Sequence, residues 1–477
     1  MTLDELRDEI ERNKSIKKTS VFFDYIKNLE DWSSFTAVSS TPTLNSATVE
    51  LAKVDNLFKF RCKDLISTPQ EPVNYQRSGY GFTAQFVLIR KSESFVIPFG
   101  SSKMTMSLDD SAYFIKGEIR NLHSEGLKTR YLYQVAIIQA NFHPTQRLSA
   151  FITSAGIKID NYLRYVGLIR SMFYDIFDFE IDNKTYIAIE SRMEFNHEKF
   201  LEIVSAVRYS IAFVTGTLYQ GETYYFASKD ADFSLIEEFG YESSNKRTIK
   251  SYSTIVPDEL IKGISMQKKY GDTKLPMIVF NEIVEKSISQ PELLRCIRLI
   301  SEAGDLPLEL KTSIYSVAIE TMRNIVQNKP TNNSTPFKDT KIAKNFILAV
   351  KEILDKIPLD SFNSKEAVVK KVENINQVGN AESYIEAFKA LGISLTTDDI
   401  KALKMRNQFL HGRIPFDFDY ESAESDLNFV SDKLFQLVSY LILKYCGFHG
   451  LVLNQANLRL LMNKEKLKGD KDILRII

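Results

Sequence analysis

The chain contains 477 residues, of which 44% are hydrophobic and 12% aromatic, which is enough to build packed cores in about three domains. Its 61 basic residues balance 61 acidic residues, and this neutrality excludes a global field that would attract the protein to nucleic acid or membranes. Any RNA binding must therefore use a local basic surface. The three cysteines, Cys62, Cys296 and Cys446, are far apart, which argues against a disulfide framework and a structural zinc site.

The start of the chain and its most apolar run bear on its location. Residues 1–18 are charged and amphipathic and lack the apolar centre of a signal peptide. The apolar run from Leu437 to Phe448 is short and contains Lys444, so we expect no membrane span. The sequence predicts a cytoplasmic protein that does not associate with a membrane.

Short β-type runs separated by turn residues occupy residues 35 to 195. Examples of these β-type runs are Ala47–Ala52, Phe82–Ile89, Ser94–Phe99 and Tyr131–Ile138, and a hairpin is predicted from Ile176–Ile181 and Tyr186–Glu190 around the loop Asp182–Lys184. The segment from Glu198 to Thr215 has apolar residues at helical spacing. A last strand is predicted around Thr223–Ala227.

From about residue 256 the pattern is helical. An amphipathic stripe that stops at Pro358 consists of Ile342, Phe346, Val350, Ile353, Leu354 and Ile357. The segment 328–336 is polar, contains two prolines and is predicted to be a loop. The fold class predicted is therefore α+β, with a β-rich region with some helix over 1–255 and an all-α region over 256–477, whose core spans about 310–450.

Two helices near the C-terminus can be bounded more closely. The first begins near Thr397, with two aspartates in its first turn, where the helix dipole favours negative charge. It ends at Gly412, a residue typical of the position just past a helix end. A long helix follows Pro415 and ends at Gly447, with one apolar face made of Leu427, Val430, Leu434, Val438, Leu441 and Tyr445.

The end of the first of these helices carries residues suited to phosphodiester chemistry. Asn407 and His411 lie four residues apart on one ridge of the helix, and Arg406 flanks that ridge. His411 falls in the last turn, where the dipole favours imidazolium. A histidine that titrates near neutral pH can move a proton while an arginine holds a phosphate. On spacing alone, the alternative is a helix end with a capping histidine and a solvated arginine.

The segment Arg406-Asn-Gln-Phe-Leu-His411, followed by Gly412, resembles the R-N-x-x-x-H motif of the HEPN superfamily. In that family the motif lies at the end of a helix in an all-α bundle and is followed by another long helix. The motif covers about a dozen residues, and the order of helices extends the likeness to residues 310–450. A β-rich half followed by such a bundle is similar to the layout of ApeA-type antiviral defence proteins of bacteria.

The resemblance implies a metal-independent endoribonuclease of the toxin or antiphage-defence type, with no cofactor. In this family the ribose 2′-hydroxyl attacks its own phosphate and leaves a 2′,3′-cyclic phosphate. Carried onto this chain, His411 is the general acid or base, Arg406 binds the phosphate, and Asn407 orients the imidazole or the phosphate. The resemblance also implies a homodimer formed through the C-terminal helical region.

Further candidates lie around the motif. Glu320, on an apolar helix, is expected to pair with Arg406 or to set the tautomer of the histidine; the alternative is a boundary residue at a solvated edge. The candidate RNA-binding residues are Lys401, Lys404 and Arg413, whose phosphate contacts would depend on salt. A basic tail, which is alternatively only a solvated surface, adds Arg459, Lys464, Lys466, Lys468, Lys471 and Arg475.

Two other classes of function stay open. One is a HEPN-like helical module without nuclease activity, serving as an interaction or nucleotide-binding platform. The other is a carbohydrate- or nucleotide-binding β-domain with a helical dimerisation tail. Under the ribonuclease hypothesis, the β-rich half senses a phage or cellular trigger, or restrains the nuclease.

Overall fold

The computed structural model of the protein describes residues 21–22, 24–29, 31, 33–39, 47–54, 57–63, 86–90, 93–98, 102–109, 112–124, 131–140, 152–159, 163–171, 173–181, 184–230, 233–243, 248–253, 255–256, 275–327, 337, 339–376, 380–412, 423–465 and 472–477. The chain divides into two compact units. The first comprises Met1–Ile249 and Pro276–Val284, and the second Lys250–Leu275 and Glu285–Ile477.

The first unit is built mainly of strands. Their bounds are β1 Ser33–Ser39, β2 Thr48–Val54, β3 Leu57–Lys63, β4 Phe86–Arg90, β5 Glu93–Ile97, β6 Ser102–Asp109, β7 Ala112–Ile119, β8 Asn121–Ser124, β9 Tyr131–Ala140, β10 Ile152–Ile159, β11 Leu163–Arg170, β12 Tyr174–Ile181, β13 Lys184–Ser191, β14 Phe195–Asn196, β15 Thr217–Leu218, β16 Glu222–Ser228, β17 Glu238–Ser243 and β18 Ile249–Lys250. Sixteen of the strands in the described ranges form one sheet, in the order β10-β11-β12-β13-β9-β16-β17-β8-β5-β4-β1-β2-β3-β7-β6, with β14 paired to β9.

The hairpin predicted from sequence is confirmed, since β12 and β13 pair antiparallel from Tyr174 opposite Ser191 to Ile181 opposite Lys184. Residues 182 and 183 of its predicted loop lie outside the described residues. Strands β15, β17 and β18 were missed: β17 follows β16 and pairs with it antiparallel, and β15 pairs with β18. The glycine in the centre of β17, Gly240, weakens the β pattern of that segment.

The sheet curves back on itself around an aromatic core. Phe58 on β3 and Tyr241 on β17 are separated by six steps in the strand order, about 29 Å in a flat sheet. Their ring centroids are nevertheless only 4.6 Å apart. This core also contains Phe22, Phe226 and Phe239. Helix α1, His197–Thr215, completes the unit and is capped by the side chain of Asn196.

The second unit is helical, which confirms the α+β class. Its helices, with the first one shared at its start with the other unit, are α2 Met277–Ser289, α3 Pro291–Glu302, α4 Leu308–Val326, α5 Thr340–Asp355, α6 Lys365–Glu373, α7 Asn380–Ala390, α8 Thr397–Leu410, α9 Ala423–Tyr445 and α10 Gln455–Met462. Short 3₁₀ turns occupy Ala303–Asp305 and Leu359–Ser361. A short antiparallel pair, β19 Leu451–Leu453 with β20 Leu474–Ile476, was not predicted. The predicted loop 328–336 and Pro415 lie outside the described residues.

Helix α9 is the centre of this unit, and it packs against α4, α8 and α10. The apolar face predicted for it is buried except for the half-buried Tyr445, and polar residues on its other sides are buried as well: Ser431, Asp432, Lys433, Gln436 and Ser439. A helix buried all round needs partners for its polar side chains. No helix in the described part of the chain is long and apolar enough to cross a bilayer.

Helix α5 differs from the prediction in where its apolar stripe lies. The helix ends at Asp355, shortly before the predicted stop at Pro358, and only Ala343 and Leu354 are buried along it. The stripe residues Ile342, Phe346 and Ile353 are exposed. The amphipathic pattern therefore predicted the helix correctly, while part of the apolar face of this helix is exposed to solvent in the single chain.

Candidate functional site

Helix α8 starts and ends as its sequence predicts. Thr396 caps the start by accepting a hydrogen bond from the Asp399 N–H, and the Asp399 carboxylate accepts one from the Thr396 N–H. This reciprocal pair is a capping box. His411 is the C-cap residue, and Gly412 follows with a φ of 68°, a left-handed conformation that favours glycine. The motif therefore lies at a defined helix end.

The Arg406 side chain is held on three sides. It is only 3% exposed, and its guanidinium carbon lies 3.5 Å from the centre of the Tyr384 ring on α7. Its Nη2 donates to Asn407 Oδ1 at 3.2 Å, and its Nη1 lies 3.5 Å from Glu320 Oε2 on α4. Stacking on an aromatic ring suits the planar guanidinium, which a lysine could not replace.

Burial lowers the pKa of Arg406, and the neighbouring Arg323 acts in the same direction, whereas Tyr384 and Glu320 oppose them. Arginine nevertheless remains a cation in proteins. The net effect of this environment is a fixed positive charge that is poorly hydrated. Such a charge interacts more strongly with an anion than a solvated one does.

A second arginine shares these neighbours. Arg323, one turn after Glu320 on α4, has its guanidinium carbon 4.6 Å from the centre of the same Tyr384 ring. Its Nη2 lies 3.9 Å from Glu320 Oε1, and its Nη1 donates to Ser383 Oγ at 3.2 Å. Two guanidinium groups thus meet one ring and one carboxylate.

His411 is exposed at the end of α8. Its backbone N–H donates to the carbonyl oxygens of Asn407 and Gln408, at 3.3 and 3.1 Å. Among the described residues, none forms a hydrogen bond or ion pair with its imidazole. The last turn that positions it is fixed to α4, because Ser313 Oγ donates to the Phe409 carbonyl at 3.2 Å.

Glu320 and Asn407 both contact Arg406 and not the His411 imidazole. The Glu320 carboxylate contacts Arg406, as one of the two expectations had it, and not His411. It also keeps 44% of its side chain exposed, so the solvated-edge description fits it as well. The Asn407 amide bonds the Arg406 guanidinium rather than the imidazole.

The candidate RNA-binding residues have different surroundings. Lys401 and Lys404 are exposed on α8, and Lys401 lines a cavity of about 120 Å³ together with Asp398 and Asp426. Arg413 lies outside the described residues. Two arginines of the basic tail are engaged elsewhere: Arg459 pairs with Asp432 at 2.7 Å, and Arg475 with Asp399 at 2.6 Å. The remaining tail candidates are Lys464, which is exposed, and Lys466, Lys468 and Lys471, which lie outside the described residues.

Three of the other four histidines have local partners. His197 Nδ1 lies 2.7 Å from Gln134 Oε1, and His123 Nδ1 lies 3.0 Å from the Ser124 carbonyl. His449 Nδ1 lies 2.8 Å from Lys444 Nζ. His143 is outside the described residues.

Sequence reasoning missed Tyr384 and Arg323. A signal for Arg323 was available, since it lies three residues after Glu320 and therefore on the same face of α4. Tyr384 has no such signal, because its contact with Arg406 joins two helices through tertiary packing alone.

No group of three or more His, Cys, Asp or Glu side chains in the described ranges is placed to hold a metal ion. Comparison of the chain with family models, with curated proteins and with solved structures finds no match. The resemblance of the 406–411 segment to the HEPN motif therefore rests on those residues and on the order of the helices.

Proposed function

We propose that the protein is a metal-independent endoribonuclease of the HEPN type, acting in toxin or antiviral defence. The observation that carries the proposal is that a cation fixed by its neighbours and an exposed histidine lie near the same helix end. Arg406 is fixed by Tyr384, Asn407 and Glu320, and His411 is exposed one turn later. Catalysis needs both a preorganised charge and a mobile proton.

In the proposed reaction, His411 acts as general acid or base. The 2′-oxygen loses its proton and bonds to the adjacent phosphorus, and the bond from phosphorus to the 5′-oxygen breaks. The leaving 5′-oxygen takes up a proton, so the products are a 2′,3′-cyclic phosphate and a 5′-hydroxyl. Arg406 stabilises the charge that develops on the phosphoryl oxygens.

We further propose that the protein acts as a homodimer through its helical region. The exposed apolar side chains of Ile342, Phe346 and Ile353 on α5 support this, because uncovered apolar groups on one helix face favour association. We propose that the β-rich unit senses a trigger or restrains cleavage. Its extensive hydrophobic core supports a role separate from that of the helical unit.

One observation favours the alternative, a helical interaction module without nuclease activity. The Arg406 side chain is only 3% exposed, and its stacking on Tyr384 gives it a structural role without any substrate. Under this alternative, His411 only ends the helix and its removal changes no activity.

The test incubates the purified full-length protein with total RNA and tRNA in EDTA. We expect cleavage that leaves cyclic-phosphate ends, and a loss on the order of 10²-fold or more in His411→Ala. His449→Ala is the matched control, because His449 also follows a long helix but lies outside the motif. Cleavage by His411→Ala at the wild-type rate, or strict dependence on a divalent ion with 5′-phosphate ends, would overturn the proposal.

A further inference from the structure

Two arginines and one carboxylate on α4 and α8 form a group with an excess of positive charge. Among the described residues, Glu320 is the carboxylate that pairs with both Arg323 and Arg406. In the described part of the chain, the other partners of the two guanidinium groups are neutral: Tyr384, Ser383 and an asparagine beside each arginine. The group therefore carries one net positive charge.

The Glu320 carboxylate contacts both arginines only at long distances. Its oxygens lie 3.5 Å from Arg406 Nη1 and 3.9 Å from Arg323 Nη2, both longer than a charge-assisted hydrogen bond. Arg406 Nη1 is buried and makes no hydrogen bond to any residue in the described part of the chain. A buried charged donor left in this way is destabilising, and a better acceptor at the same place would satisfy it.

From this geometry we infer that Arg323 and Arg406 together bind a phosphate group, and that Glu320 occupies its place in the free protein. The inference deepens the proposed function and rests on it. A phosphate presents several acceptor oxygens and can bond both guanidinium groups at about 2.8 Å, a separation that the carboxylate does not reach here. Glu320, at 44% exposure, can turn into solvent when the phosphate enters. Arg323 is thus a second phosphate-binding residue beside the motif arginine.

Binding is measured with a single-stranded RNA carrying 2′-O-methyl groups, which cannot be cut, by fluorescence anisotropy at several salt concentrations. Arg323→Gln is expected to weaken binding about 10-fold through loss of a charge-assisted contact. It should also reduce the salt slope by about 0.7, the contribution of one phosphate contact on a single strand. Glu320→Gln is expected to tighten binding about 3-fold, since a displaced half-exposed ion pair is weak.

The matched controls are Arg298→Gln and Glu302→Gln, which alter an exposed ion pair of 3.0 Å on α3. We expect both to bind like wild type. A parallel titration with inorganic phosphate, followed by calorimetry, separates the two sources of phosphate. The same variant response with inorganic phosphate alone would support the site and assign it to a free phosphate.

Wild-type binding by Arg323→Gln, with its thermal unfolding unchanged, would overturn the inference, as would unchanged or weaker binding by Glu320→Gln. These outcomes leave the cleavage test untouched, because the modified RNA is never cut. Conversely, the expected binding shifts together with no cleavage of natural RNA would remove the proposed nuclease and keep the phosphate site.

Discussion

Helix α8 has a three-residue charge cluster near each end, and both clusters contain two cations and one carboxylate. Near its start, Asp399 contacts Lys433 at 3.3 Å and Arg475 at 2.6 Å, and the carboxylate and the lysine are fully buried. Towards its end, Glu320 contacts Arg406 at 3.5 Å and Arg323 at 3.9 Å, and the carboxylate is nearly half exposed. The composition is the same, while the distances and the burial differ.

The difference separates a structural ion cluster from an exchangeable one. Removing one partner of a buried pair leaves an uncompensated charge and costs about 3–5 kcal/mol. A pair with an exposed member contributes about 1 kcal/mol or less, so its carboxylate can be exchanged for another anion at little cost. Function at α8 is therefore expected at its end rather than at its start.

The largest effect is expected from Asp399→Ala. It removes the carboxylate that lies 3.3 Å from the buried Lys433, and we expect the free energy of unfolding to fall by about 3–5 kcal/mol. Denaturant unfolding monitored by circular dichroism measures this. Asp399→Asn keeps an acceptor for the Thr396 N–H and removes only the charge, so it should be nearly as unstable. If Asp399→Asn were as stable as wild type, the helix cap and not the buried charge would explain the role of Asp399.

A smaller effect is expected from pH. Burial acts to raise the pKa of Asp399, but Lys433, Arg475 and the Thr396 N–H outweigh it, so the pKa is lowered. A lowered pKa in the folded state gives stability that is present above the unfolded value of about 3.9 and is lost as pH falls through the folded value. The difference in unfolding free energy between wild type and Asp399→Asn should therefore shrink below about pH 4. A difference as large at pH 2 as at pH 7 would contradict the assignment.

The parts of the fold that sequence could predict depend on local signals. The bounds of α8 follow from its acidic first turn and from Gly412, and the β12–β13 hairpin follows from alternating residues around a short loop. The burial of Lys433 and Gln436 could not be predicted, because one apolar stripe suffices to indicate a helix and says nothing of its other sides. The exposure of Ile342 was missed because an apolar stripe on a helix does not show whether another element packs against it.

The candidate site divides in the same way. Arg406, Asn407 and His411 are visible as a motif because they lie within six residues of one another. The contact of Arg406 with the Tyr384 ring joins residues 22 positions apart, and the pairing of Arg475 with Asp399 joins residues 76 positions apart. No spacing rule connects positions so distant in sequence. Arg475 was consequently assigned to a basic tail, whereas the structure pairs it with a buried carboxylate.

The smallest effect is expected from Glu320→Ala, and it decides whether the comparison holds. Arg406 keeps its stacking on Tyr384 and its bond to Asn407 in this variant, and water can reach the position that the half-exposed carboxylate leaves. We therefore expect unfolding free energy to fall by about 1 kcal/mol or less. Glu302→Ala, which removes the partner of Arg298 on α3, is the control and should show a change of the same size in the same denaturant titration. A loss as large as that of Asp399→Ala would make Glu320 a fixed counterion of Arg406. In that case a phosphate could not displace it at low cost, and the two ends of α8 would carry the same kind of cluster.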